Sequence, residues 1–147
     1  VIMRFTRSYG PTMAMSDTKA VSQFIKNGIA DEDIVLKSSG TQHYSYTYMA
    51  DAVSGLLWIL LAGKSGEAYN IADECGDITL KDLAVLVAEL TGQKVIFEVP
   101  HTVEASGYSR VTKARLDGHK LQELGWKPKY NIKSGIKQTI KIIKSFL

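Results

Sequence analysis

A chain of 147 residues, 45% hydrophobic and 22% charged, carries enough apolar material for one ordinary buried core, and too much for a disordered segment. Its formal net charge of +3, from 18 basic and 15 acidic residues, is too balanced to point to nucleic acid. Cys75 is the only cysteine, which excludes an internal disulfide and suits a reducing cytoplasm. The longest apolar run, Leu56 to Ala62, falls far short of the roughly 20 residues a membrane span needs. Val1 to Phe5 does not have the pattern of a secretory leader, and position 1 is not Met. The segment reads as a strand entered in mid-course, so we expect the chain to be a piece of a longer protein.

In chain order, the short apolar run Ile2 to Phe5 predicts a buried strand, broken at Tyr9-Gly10-Pro11. Asp17 is placed to cap a helix running to about Asn27, with Val21, Phe24 and Ile25 on one face and Gly28 as its stop. Asp33 to Lys37 and His43 to Met49 are strand candidates around a Ser39-Gly40 turn; the second is rich in Tyr and Thr. Ala50 to Ala62 predicts a largely buried helix ended by Gly63, and Glu67 to Ala72 a further strand. Thr79 caps the next helix, with Asp82 three residues on. Leu80, Leu83, Ala84, Val87 and Leu90 form its apolar face, and Gly92 stops it. Lys94 to Val99 is a short strand before Pro100, and the stretch from His101 to Lys113 is polar and irregular. A short helix from about Asp117 to Leu124 stops at Gly125. Asn131 caps the last helix, which turns Ile132, Ile136, Ile140 and Ile143 inward and Lys133, Lys137, Lys141 and Lys144 outward. Strands and helices mix without strict alternation, so the class is α/β or mixed α+β, with residues 1–147 as a single domain.

Four stretches carry chemistry when taken together. They are Arg4-Phe5-Thr6-Arg7-Ser8-Tyr9-Gly10-Pro11, Ser45-Tyr46-Thr47-Tyr48-Met49-Ala50-Asp51-Ala52-Val53, Glu67-Ala68-Tyr69-Asn70-Ile71-Ala72 and Lys120-Leu121-Gln122-Glu123-Leu124-Gly125-Trp126-Lys127-Pro128. Each alone is a weak signal. In this order and at these spacings they resemble the C-terminal half of the NAD-dependent epimerase/dehydratase family, the extended short-chain dehydrogenases. Within it the chain is similar to dTDP-glucose 4,6-dehydratase-like and UDP-sugar epimerase-like proteins. The resemblance implies a substrate-binding portion whose partner is an N-terminal Rossmann domain that holds NAD. It implies a nucleotide-diphosphate sugar as ligand.

The catalytic parts of that family are missing from these residues. No Gly-x-x-Gly-x-x-Gly or Gly-x-Gly-x-x-Gly occurs, and no Tyr is followed four positions later by Lys. Hydride transfer needs a bound nicotinamide and a proton donor of lowered pKa, and neither can be assembled here. We therefore expect no catalytic residue and no cofactor in this chain, with NAD held elsewhere in the parent enzyme. The rival expectation is a standalone binding or assembly module descended from the family.

A diphosphate requires cations and amide donors around it. The resemblance places Arg7, where the family often has Asn, near the sugar diphosphate; a structural arginine at a strand end is the equal alternative. Asn70 matches the Asn of the family's Tyr-Asn-Ile/Val motif near the substrate, or else bonds the turn backbone. Tyr44 stands where the family usually has an Arg that approaches the nucleotide; it keeps a stacking surface and loses the charge. Arg110 and Lys113 fall where the family places a basic residue near the nucleotide, with surface solvation as the alternative.

Elsewhere the residues read as structural. His43, His101 and His119 have no metal-ligand spacing. Asp73, Glu74 and Asp77 around Cys75 read as a solvated turn, and Cys75 lacks an activating partner. Trp58 and Trp126 read as core. The lysine row of the last helix reads as a solvated face rather than a membrane or nucleic-acid surface. With its partner half absent, the apolar first strand and the Ala50 helix predict homo-oligomerisation or local rearrangement.

Overall fold

The computed structural model describes residues 1–98 and 111–147. Strand β1 (Ile2–Phe5) pairs in parallel with β5 (Ala68–Ile71), setting Arg4 opposite Asn70. At Thr6 the chain leaves that pair, and β2 (Arg7–Tyr9) joins a different sheet beside β4 (His43–Tyr48), with Arg7 opposite Tyr46. The Thr6 hydroxyl donates to Thr47 Oγ1 at 2.6 Å, fastening the crossover point to β4. The apolar run Ile2 to Phe5 therefore ends by changing sheets, three residues before the Tyr9-Gly10-Pro11 break.

Strand β4 is the hub of the second sheet. Its first half pairs with β6 (Asp77–Thr79), antiparallel, and with β8 (Lys113–Ala114), parallel. Alternation along His43-Tyr44-Ser45-Tyr46-Thr47-Tyr48 gives Tyr44, Tyr46 and Tyr48 one shared parity, and all three are buried. Strand β3 (Ile34–Leu36) pairs in parallel with β7 (Val95–Phe97) rather than with β4, so the Ser39-Gly40 turn connects strands of separate sheets. Gly40 sits there at φ 72°, a left-handed conformation that glycine adopts freely.

Helices α1 (Ala20–Ile29), α3 (Leu80–Thr91) and α5 (Ile132–Lys144) pack on one another and on β3 and β4. Phe24, Ile25, Ile34, Leu36, Val87 and Ile136 are buried in this core. Helix α3 begins and ends as its sequence dictates: Thr79 Oγ1 accepts from the Asp82 amide at 3.0 Å, and Gly92 closes it at φ 79°. Asn131 caps α5 in the same way, accepting from the Ser134 amide at 2.8 Å. Helix α1 differs. Asp17 bonds the Lys19 amide and the Ser22 hydroxyl before the helix starts, and no side chain caps its first turn.

A second core joins α2 (Met49–Ala62) and the short α4 (His119–Glu123) to β5 through Ile59, Tyr69, Ile71, Leu121 and Trp126. Trp126 is 2% exposed and donates from Nε1 to Ser54 Oγ at 3.0 Å. Asp51, also 2% exposed, accepts from the Lys129 and Tyr130 amides, both at 2.9 Å, and so ties α2 to the segment leading into α5. The expectation of a largely buried α2 is corrected here. Ala52, Gly55 and Ile59 are buried against β5, while Val53, Leu57, Leu60 and Leu61 on the remaining faces are exposed, Leu61 by 89%. Trp58 is likewise 41% exposed rather than core, its Nε1 donating to the Leu124 carbonyl at 3.0 Å. Ile2 and Phe5 of β1 are exposed as well, so the first strand is apolar without being covered.

Candidate functional site

A cleft of about 820 Å³ opens between the start of α1, the end of β3 and the face of β4. Two of the residues expected at a binding site meet in it. The Arg7 guanidinium lies over the Tyr44 ring, 3.6 Å from its centroid, and both side chains line the cleft. Among the described residues Arg7 has this stacking contact and neither a hydrogen-bond nor an ion-pair partner. An arginine held flat on an aromatic ring keeps its in-plane N–H donors free, in the geometry that suits an oxyanion.

The ring that holds Arg7 is itself anchored. Tyr44 is buried, and its hydroxyl donates to the Val111 carbonyl at 2.9 Å. Tyr46, one turn of the pleat further on, also lines the cleft; burial pushes its phenol up to about 12, with the Arg7 charge pulling the other way.

Opposite this pair stands the uncapped first turn of α1, whose Lys19, Ala20 and Val21 line the cleft. A helix start without a side-chain cap offers free amides and the positive end of the helix dipole. Lys37 adds a further cation and Glu98 one anion, while the Lys19 ammonium is engaged by Asp17 at 3.1 Å. The α1 start was not legible from sequence because Asp17 has the look of its cap. The only available signal was that Asp17 stands three residues ahead of Ala20.

The other expected site residues lie apart from the cleft. Lys113 is exposed on β8, paired with His43. Asn70 is on β5, donating from Nδ2 to the Asp117 carbonyl at 2.7 Å, and its buried Oδ1 has no hydrogen-bond partner among the described residues. Arg110 lies outside the described residues.

A smaller cavity of about 410 Å³ runs between Asp73, Cys75, Asp77, Arg115 and His119. Its central charges are paired: Asp77 pairs with Arg115 and accepts from the Ser45 hydroxyl. Cys75 is exposed, but the neighbouring Asp73 carboxylate raises its thiol, the opposite of an activated nucleophile. Among the described residues no group of three or more His, Cys, Asp or Glu side chains is arranged to hold a metal ion. No helix among them is long and apolar enough to cross a membrane.

The sequence profile of the NAD dependent epimerase/dehydratase family matches residues 1–72. The chain is 30% identical over 138 residues to UDP-glucuronic acid decarboxylase 5 of Arabidopsis thaliana, an alignment covering 92% of the chain and 38% of that protein. It is 31% identical over 145 residues to the dTDP-D-glucose 4,6-dehydratase of Homo sapiens, covering 95% of the chain and 40% of that enzyme. The chain is thus similar to the NAD-dependent epimerase/dehydratase family, by profile over its first 72 residues and by these relatives along nearly all of its length. Its fold superposes on the UDP-glucose 4-epimerase of Thermotoga maritima, solved with UDP-glucose, with a TM-score of 0.82 at 26% identity. That match covers 98% of the chain and 45% of the epimerase. The chain thus spans less than half the length of these family members.

The described residues of this chain do not form a site for the NAD of that family's name. None of α1 to α5 opens with the glycine-rich strand-to-helix turn that cradles a dinucleotide, and no Tyr-x-x-x-Lys is present.

Proposed function

We propose that this chain is the substrate-gripping part of a nucleotide-sugar dehydratase or epimerase. Its role is to hold the nucleoside diphosphate end of the substrate in the cleft above β4. The observation that carries this reading is the Arg7 guanidinium, stacked on Tyr44 without an anionic partner among the described residues, in a cleft also lined by the first turn of α1, which no side chain caps and which Asp17 precedes, holding the Lys19 amide. Two phosphates need several donors at once, and a guanidinium with helix-terminal amides supplies them. The volume is of the size that receives a nucleotide-scale ligand. In the parent enzyme the chain orients the sugar. The NAD, and the acid and base that work on the sugar, belong to an N-terminal Rossmann portion. The orphaned Asn70 Oδ1 is a ready acceptor for a donor from that portion or from a sugar hydroxyl. A reducing cytoplasm suits the single exposed cysteine.

Steady-state kinetics of the full-length enzyme with Arg7→Ala and Lys113→Ala test this reading. Arg7→Ala is expected to raise KM for the nucleotide sugar about ten-fold or more, the value of one charge-assisted hydrogen bond. Lys113→Ala is expected to act less, because Lys113 stands outside the cleft wall. Unchanged KM in both variants returns the two residues to structural roles and removes the reading.

A further inference from the structure

Tyr44 presents one face to a cation and its hydroxyl to a main-chain carbonyl, which leaves neither free for a ligand. It is 6% exposed, whereas Arg7 beside it is only partly buried and has its donors unspent among the described residues. The two positions stand on adjacent, hydrogen-bonded strands: Arg7 is opposite Tyr46 in the β2–β4 register, and Tyr44 is two residues earlier on the same face. Alone, an arginine side chain at a strand end samples many rotamers, and a diphosphate would have to order it on binding. Against a buried, doubly anchored ring that ordering is already done.

We propose that Tyr44 is a positioning residue: its ring pre-orients the Arg7 guanidinium toward the diphosphate, so that Arg7 makes the ligand contact and Tyr44 acts through it. This rests on the nucleotide-cleft reading above and deepens it. It reassigns Tyr44 from a ligand-stacking surface to the support of Arg7, the cation of β2 and β4 that has no hydrogen-bond or ion-pair partner among the described residues. The ring, rather than the hydroxyl, is the working part. The hydroxyl bond to Val111 fixes the ring, but its burial in the core and the strand pairing of β4 fix it too.

The test uses the intact protein, with UDP and dTDP as probes and UMP and dTMP as controls, by titration calorimetry. The ratio of diphosphate to monophosphate affinity is the readout, because general loosening of the fold would lower both together. Arg7→Gln is expected to lower this ratio about ten-fold or more. Tyr44→Leu is expected to lower it roughly 3- to 30-fold, and Tyr44→Phe to leave it within about two-fold. The double variant Arg7→Gln/Tyr44→Leu should do no worse than Arg7→Gln alone, the signature of two residues acting as one unit. Arg7→Lys, a surface change that leaves β4 intact, keeps the charge and loses the planar face, and should also lower the ratio. An unchanged ratio in Arg7→Lys, additive losses in the double variant, or a loss in Tyr44→Phe as large as in Tyr44→Leu each overturns the inference while the cleft reading stands. Wild-type protein that binds neither diphosphate overturns both.

Discussion

Asp51 shows how much a single side chain holds. Its buried carboxylate is satisfied by two backbone amides, Lys129 and Tyr130, across 78 and 79 residues of sequence. Removing it leaves both amides without their partner next to the Tyr48 and Tyr130 rings, whose centroids are 4.5 Å apart. Asp51→Ala is expected to destabilise the fold by about 2–4 kcal/mol, from two lost charge-assisted bonds. Urea unfolding monitored by circular dichroism checks it, and a loss under about 1 kcal/mol would contradict this role. The buried tyrosines give a pH prediction at the same scale. Unfolded phenols ionise near pH 10, while burial holds the Tyr46 phenol protonated up to about 12 and raises those of Tyr9 and Tyr48 as well. Between these values the unfolded chain binds fewer protons than the folded one, so stability falls as pH rises from about 10 to about 12. Tyr46→Phe should flatten that fall, as read from urea midpoints in this range compared with wild type. An equally steep fall in the variant would contradict the assignment to Tyr46.

Among the elements, those with their own chemical punctuation were legible in the sequence. Helix α3 has a Thr79 cap and a Gly92 stop, and both act as the residues indicate. Strand β5 and helix α5 were legible for like reasons of alternation and capping. Three features were not. Strands β6 and β8 are too short, three and two residues, for any period to show. The β1-to-β2 crossing at Thr6 is a matter of pairing partners, which hydropathy does not encode. Uncovered apolar surface on α2 was expected, but which of its faces would be buried was hidden, because an apolar helix looks the same whether its second face meets this chain or another. At the site, Arg7 and Tyr44 were both legible as candidates. That they form one stacked unit was not, since it depends on the β2–β4 register. Gly76 tests how tightly the short segment before β6 crosses β4. A Cβ built there would lie 2.0 Å from the Tyr46 carbonyl oxygen, so Gly76→Ala must move backbone and should cost about 2 kcal/mol or more. A thermal melt within about 1 °C of wild type would contradict that packing.

For the whole molecule the exposed apolar surface is the dominant fact. Ile2 and Phe5 on β1 and Val53, Leu57, Leu60 and Leu61 on α2 lie open. Among the described residues the parallel pair β1–β5 also has an unpaired edge on β1 and stands as a two-stranded sheet, which parallel pairing alone rarely sustains. Surfaces of this kind are covered in a working protein, and the chain spans less than half of its relatives. We therefore expect the isolated 147-residue chain to self-associate in sedimentation velocity, and Leu57→Lys/Leu61→Lys to shift it toward monomer. A wild-type chain that sediments as a clean monomer would favour the standalone-module reading instead. The proposed division of labour, with this chain holding the nucleotide sugar and another part holding NAD, has its own direct test: parallel calorimetric titration of this chain with a nucleoside-diphosphate sugar and with NAD. The account predicts saturable binding of UDP-glucose or dTDP-glucose, lost in Arg7→Gln, and no binding of NAD. Micromolar affinity for NAD, with no binding of either nucleotide sugar, would contradict it.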